Sequence, residues 1–178
     1  MASVLVFFGC DSNEKKETKT IEETEKTEVV NQQKDPFHVE LDLKQEDDNT
    51  YNFIAKVKLD SGAYIISPYS TDDTFLHFNI LFQENDHIST IDSLIETPIS
   101  TAEYEELLEQ EVRYVRQTTT YEKKFERTDS EDFEMEGTIE FLVEPRCSVE
   151  EIRFTIKCIS DTMYIESNKL IPNKLTQE

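Results

Sequence analysis

The stretch Phe37-His38-Val39-Glu40-Leu41-Asp42-Leu43-Lys44, resumed after a polar break by Tyr51-Asn52-Phe53-Ile54-Ala55-Lys56-Val57-Lys58-Leu59, decides the fold. Apolar residues fall on every second position. Phe37, Val39, Leu41 and Leu43 therefore share one face of an extended chain, with His38, Glu40, Asp42 and Lys44 on the other. Tyr51, Phe53, Ala55, Val57 and Leu59 repeat the pattern. The break, Glu46-Asp47-Asp48-Asn49, is turn chemistry, because Asp and Asn side chains bond their own backbone. Two such runs joined by such a break make an antiparallel hairpin with one buried face.

The same period continues outward. Asp60-Ser61-Gly62 reads as a turn and Ala63–Ser67 as a short apolar strand, with loop from Pro68 to Asp73. Thr74–Phe82, apolar on both faces apart from His77 and Asn79, reads as an interior strand, and Ile88–Ile95 as a weaker one ending before Pro98. Ser100 and Glu103 have capping-box spacing, and Tyr104, Leu107 and Leu108 follow at helical intervals, which predicts a two-turn helix. Val112, Tyr114 and Thr118–Arg127 return to strand. Phe133, Met135, Gly137, Ile139, Phe141 and Val143 alternate with polar partners, as do Ile152, Phe154, Ile156 and Cys158, and Asp161-Thr162 turns the chain into a last strand. The expectation is an all-β, immunoglobulin-like antiparallel sandwich of about 7–9 strands over residues 37–160, with residues 161–178 a final strand and tail.

Residues 11–36 are different in kind. Ile21, Val29 and Val30 are the only aliphatic side chains there, against six Glu, five Lys and four Thr. Too little apolar surface exists to offset the entropy of ordering, so the stretch reads as a disordered tether. It carries five Lys against eight acidic residues, so −18 of the net charge of −21 belongs to the rest of the chain. That charge opposes nucleic acid, which is held by Lys and Arg on phosphate, and opposes docking on anionic lipid. It is compatible with simple solubility, or with a basic partner or divalent cations. No apolar run approaches the roughly 18 residues that span a bilayer.

Before the tether stands Val6-Phe7-Phe8-Gly9-Cys10. A short apolar run, a small residue and a cysteine resemble the end of a bacterial lipoprotein signal, in which the cysteine is lipidated and becomes the new N-terminus. Residues 1–10 are then a truncated signal with Cys10 as the lipidation residue. The run is short, lacks Lys and Arg, and has Phe7 where Leu is usual; a start codon assigned too late would account for the first two departures. The other reading is an apolar N-terminus with an incidental cysteine. Lipidation implies an anchored protein of the bacterial cell envelope, facing the periplasm or the cell surface, held by two or more acyl chains.

The segment order resembles a second family. The paired strands His38–Leu59 are followed by Asp60-Ser61-Gly62-Ala63-Tyr64-Ile65-Ile66-Ser67, Ile95-Glu96-Thr97-Pro98 and Gln110-Glu111-Val112-Arg113-Tyr114. Gly137-Thr138-Ile139-Glu140-Phe141-Leu142-Val143, a cysteine loop and Glu151-Ile152-Arg153-Phe154-Thr155-Ile156 complete the series. Together they are similar to the N-terminal periplasmic domain of the thiol–disulfide interchange protein DsbD, an immunoglobulin-like sandwich. The resemblance implies a loop, after the strand containing Gly137, with two cysteines that pass electrons to periplasmic partners. Here the loop reads Val143-Glu144-Pro145-Arg146-Cys147-Ser148-Val149. Cys147 matches the second cysteine, and Glu144 or Pro145 stands in place of the first. A dithiol relay needs a resolving thiol to release product. Cys158 lies eleven residues on, at the far end of a strand, which at about 3.3 Å per residue is tens of ångströms away; it reads as a small core residue. Arg146 favours the Cys147 thiolate and Glu144, Glu150 and Glu151 oppose it, so an ordinary, weakly nucleophilic thiol is expected.

Other chemistry finds no pattern. His38, His77 and His87 sit on separate segments without the spacing of zinc ligands, and Glu46–Asn49 lacks the ligand alternation, Gly and final Glu of a calcium loop. No nucleophile elbow, phosphate loop or dinucleotide fingerprint occurs. No cofactor is expected. The first expectation is a lipid-anchored, non-catalytic module that binds an envelope protein partner. The alternative is single-cysteine exchange through Cys147 with a thiol on the partner as resolving group, and a third is binding of an envelope ligand unrelated to redox work.

Overall fold

The computed structural model describes residues 34–91 and 94–167. The expected lipidation residue Cys10, the expected signal over 1–10 and the stretch expected to be a tether, up to residue 33, lie outside the described residues, as does the chain beyond residue 167.

The described chain is all β, in twelve strands. They are β1 (Phe37–Gln45), β2 (Thr50–Leu59), β3 (Tyr64–Ile66), β4 (Asn79–Phe82), β5 (Ile88–Thr90), β6 (Ile95–Thr97), β7 (Ala102–Glu105), β8 (Gln110–Val115), β9 (Thr119–Arg127), β10 (Phe133–Glu144), β11 (Ser148–Ile159) and β12 (Thr162–Ser167). One sheet of five runs β1-β2-β9-β5, with β6 also on β9. The other, of seven, runs β12-β11-β10-β3-β8-β7, with β4 also on β10. Neighbours pair antiparallel throughout, and the two sheets close as an immunoglobulin-like sandwich. More strands appear than the sequence predicts, in part because two short strands, β5 and β6, pair with β9 where one weak run is expected, and because β7 forms where a helix is expected.

The opening hairpin forms as its alternation dictates. Phe37 pairs with Leu59 and Gln45 with Tyr51, so both apolar sets face inward. Asp47 Oδ1 accepts from the amides of Asn49 (3.1 Å) and Thr50 (2.8 Å), closing the break as an Asx turn. In the next turn the Ala63 amide donates to Asp60 O, and Gly62 takes a φ of +85° that glycine adopts without the Cβ penalty.

Aromatic rings join the sheets. Phe53 of β2 stacks on Phe154 of β11 at 4.4 Å, and Phe78 stacks on Tyr121 of β9 at 3.7 Å. Phe82 meets Phe53, Phe125 and Phe154 edge-on. Gly137 of β10 pairs with Phe154, and its missing side chain is the space in which the Phe154 ring lies.

Two expectations fail. The interior strand placed at Thr74–Phe82 is strand only from Asn79. Asp72 Oδ1 accepts from the amides of Thr74 (3.2 Å) and Phe75 (3.0 Å), which bends the chain out of the ladder until the Phe78 amide reaches Ile66 O. The helix placed after Ser100 is the β7–β8 hairpin, with Tyr104 opposite Glu111. Glu103 does not return to the Ser100 backbone. It pairs with Arg116 at 3.1 Å, while the Ser100 amide donates to Glu96 Oε1 at 2.6 Å. Tyr104 and Leu107 stay 65% and 91% exposed, so an apolar helical stripe had no core to pack against, and two turns alone do not stabilise a helix in water.

Gly137→Ala tests the joint. A Cβ there overlaps the Phe154 ring, and the variant should lose about 1–3 kcal/mol of stability, measured by urea unfolding. A variant as stable as the parent would mean that the ring yields freely.

Candidate functional site

Cys147 sits in the turn Pro145–Cys147 that joins β10 to β11, where Val143 pairs with Ser148. It is exposed and takes a left-handed φ of 56°, and the Glu144–Pro145 peptide before it is cis. Its Sγ donates to Glu144 Oε1 at 3.2 Å. That hydrogen bond, with the carboxylate's charge, pushes the thiol above its ordinary value, because both favour the protonated form.

Arg146 does not offset this. Its guanidinium donates to Asp35 Oδ1 (2.9 Å), to Ser148 Oγ (2.7 Å) and to Glu150, so its charge is already engaged. The contact to Asp35 carries the folded body back to the last residues assigned to the tether, and Pro36 O accepts from the Asp60 amide. Cys158 is wholly buried on β11 opposite Phe133, and burial pushes its thiol up. The two thiols occupy opposite ends of β11 and cannot meet.

Beside the turn lies a cluster that strand alternation alone did not single out. Glu144 pairs with Tyr64 of β3, and Tyr64 meets Tyr114 of β8 edge-on at 5.2 Å. The Arg116 guanidinium stands 4.7 Å from both ring centroids. Tyr114 donates to Glu105 Oε2 at 3.2 Å, and burial together with that carboxylate pushes its hydroxyl up to about 12. The spacing of Tyr114 and Arg116, two apart in the chain, was the available signal. Both are common surface residues, and only the register of β3 against β8 brings Tyr64 to them.

A second polar knot organises residues 67–78. Asp72 Oδ2 accepts from the Ser70 hydroxyl at 2.6 Å and lies 3.0 Å from His77 Nε2. Burial pushes the Asp72 carboxyl up, but the bonds from Ser70, the Phe75 amide and His77 outweigh it and hold it below the ordinary range. Ser70 Oγ also accepts from the Arg113 amide, tying the loop to β8. His77, Tyr69, Phe75 and Glu140 line an adjoining cleft of about 570 Å³.

The other histidines are structural or peripheral. His87 Nδ1 is 2.8 Å from Asp129 and the ring stacks on Phe133, while His38 is exposed beside Glu40. No group of three or more His, Cys, Asp or Glu among the described residues is arranged to hold a metal ion.

No protein-family model matches the chain, and no curated protein matches it. Among solved structures it is similar to the GAE domain of GGA2p from Saccharomyces cerevisiae, at 9% identity and a TM-score of 0.36 over 76% of this chain and 92% of that one. It is similar also to the yeast GGA1 GAE domain, at 10% identity and 0.36 over 76% and 93%.

Two outcomes test the site. Alkylation of Cys147 by iodoacetamide should stay slow at neutral pH and rise towards a pH above the ordinary thiol range, and Glu144→Gln should speed it at pH 7. An unchanged rate in the variant would disconnect the carboxylate from the thiol. Asp72→Ala should cost about 1–3 kcal/mol at neutral pH. Because the Asp72 pKa is depressed in the folded state, its contribution is present above the unfolded value and lost as pH falls through the folded one. The difference between parent and variant should therefore shrink under acid, as read by thermal unfolding across pH.

Proposed function

We propose that this chain is a lipid-anchored protein of the bacterial cell envelope whose sandwich is a non-catalytic, protein-binding accessory module. Cys10 is the anchor and the polar stretch 11–36 the tether. The resemblance to the DsbD N-terminal domain supplies the scaffold type, one whose work is to dock other proteins. One observation supports the non-catalytic part: the only exposed thiol among the described residues, Cys147, donates a hydrogen bond to the Glu144 carboxylate, which favours its protonated form. In the related domain a second cysteine would belong near that position. A carboxylate there can neither resolve a mixed disulfide nor favour the thiolate that attacks one.

A second reading, single-cysteine exchange through Cys147, draws on the exposure of that thiol at the tip of the β10–β11 turn. It requires a partner thiol as resolving group and works against the raised pKa.

The protein, expressed in its host from its own gene, should fractionate with membranes, and Cys10→Ser should release it. A parent found in the aqueous fraction removes the anchor. The double variant Cys147→Ser, Cys158→Ala should fold and complement loss of the gene as the parent does. Failure to complement despite normal folding favours exchange.

A further inference from the structure

The three most exposed large apolar side chains of the described residues lie within nine positions of one another: Leu107 (91%), Ile99 (66%) and Tyr104 (65%). They surround β7, the outermost strand of the seven-stranded sheet, whose strand neighbour is β8 alone. No residue from 99 to 111 belongs to the hydrophobic core cluster. Such a margin presents unpaired backbone donors and acceptors beside uncovered apolar surface, the arrangement to which an extended chain adds as a strand.

The charge pattern selects the chain that would add. Alternation puts Glu103 and Glu105 on one face of β7, where they meet Arg116 and Tyr114, and Tyr104 on the other. Glu106, Glu109 and Glu111 follow in the turn and on β8, so residues 99–117 hold five Glu against Arg113 and Arg116. A strand laid along β7 thus meets carboxylates on one face and an aromatic ring on the other, which suits alternating cationic and apolar residues. A second copy of this chain would bring the same five Glu against these, and an anionic membrane would be repelled in the same way.

We propose that the free edge of β7 docks an extended segment of a partner protein in which Lys or Arg alternates with apolar residues, extending the seven-stranded sheet by one strand. This deepens the binding-module reading and rests on it for the partner being a protein.

The test uses the full chain and a labelled peptide of about ten residues alternating Lys with Val or Leu. Its control is a peptide of the same composition with the Lys residues in one block. The alternating peptide should bind more tightly than the block. Its affinity should fall about tenfold in Tyr104→Ser/Leu107→Ser, and should weaken as salt rises towards about 0.3 M. Hydrogen exchange should show new amide protection over residues 99–107. Both substituted side chains are solvent-facing, so the variant should unfold at the parent's urea midpoint. Equal binding of the two peptides, an indifferent double variant, or protection at β1 or β12 would overturn the assignment while leaving the module reading standing. Protection over 99–107 that grows with protein concentration in the absence of peptide would give the edge to a second copy and overturn it too.

Discussion

Everything in this sandwich is referred to the seating of the Phe154 ring on Gly137. The two residues face each other across the β10–β11 ladder, and only a residue without a Cβ leaves room for the ring. From there Phe154 crosses the gap between the sheets to stack on Phe53, and Phe82 closes the group edge-on. The contact lies both in the β10–β11 ladder and at the joint between the two sheets. One end of that hairpin becomes the exposed Cys147 turn. The other holds Cys158 in the core and turns into β12 through Ser160 and Asp161, both at positive φ. The separation of the two thiols follows from this ladder.

Much of the frame is legible in the residues, for a physical reason. Where a strand has one wet and one dry face, alternation is written into the sequence, and β1, β2, β10 and β11 each carry it over seven residues or more. Three-residue strands such as β5 and β6 carry too few positions for a period to show, and β3, equally short, is legible as an apolar run behind a turn rather than by its period. The region 74–78 is apolar enough to read as a strand, yet Asp72 captures its amides, and one side-chain oxygen outcompetes the ladder locally. At 100–108 the residues satisfy both a helical and a strand reading. The helix loses because no apolar surface lies across from Tyr104 and Leu107. Capping-box spacing is only a local signal, and pairing with β8 supplies the bonds instead.

The candidate site divides in the same way. The raised pKa of the Cys147 thiol is expected from the acidic neighbours visible in sequence, but of those neighbours it is Glu144 that acts, through its hydrogen bond and its charge. Arg146, adjacent in sequence and expected to oppose it, is drawn off by Asp35 and Glu150. The Tyr64–Tyr114–Arg116 cluster depends on three strands and no local pattern announces it. Acidity has two local consequences among the described residues: it favours the protonated form of their one exposed thiol, and it lines the uncovered margin at β7 with carboxylates. Both are features on which the proposed binding role rests.

The claim that docking has replaced exchange is tested most directly by acid-quenching cells that express the native protein, blocking free thiols and separating the chain on non-reducing gels beside a Cys147→Ser control. The account predicts that Cys147 is recovered as a free thiol, with no higher-mass species that depends on it. A disulfide-linked band that disappears in the control would contradict the account and return Cys147 to the chemistry of the domain it resembles.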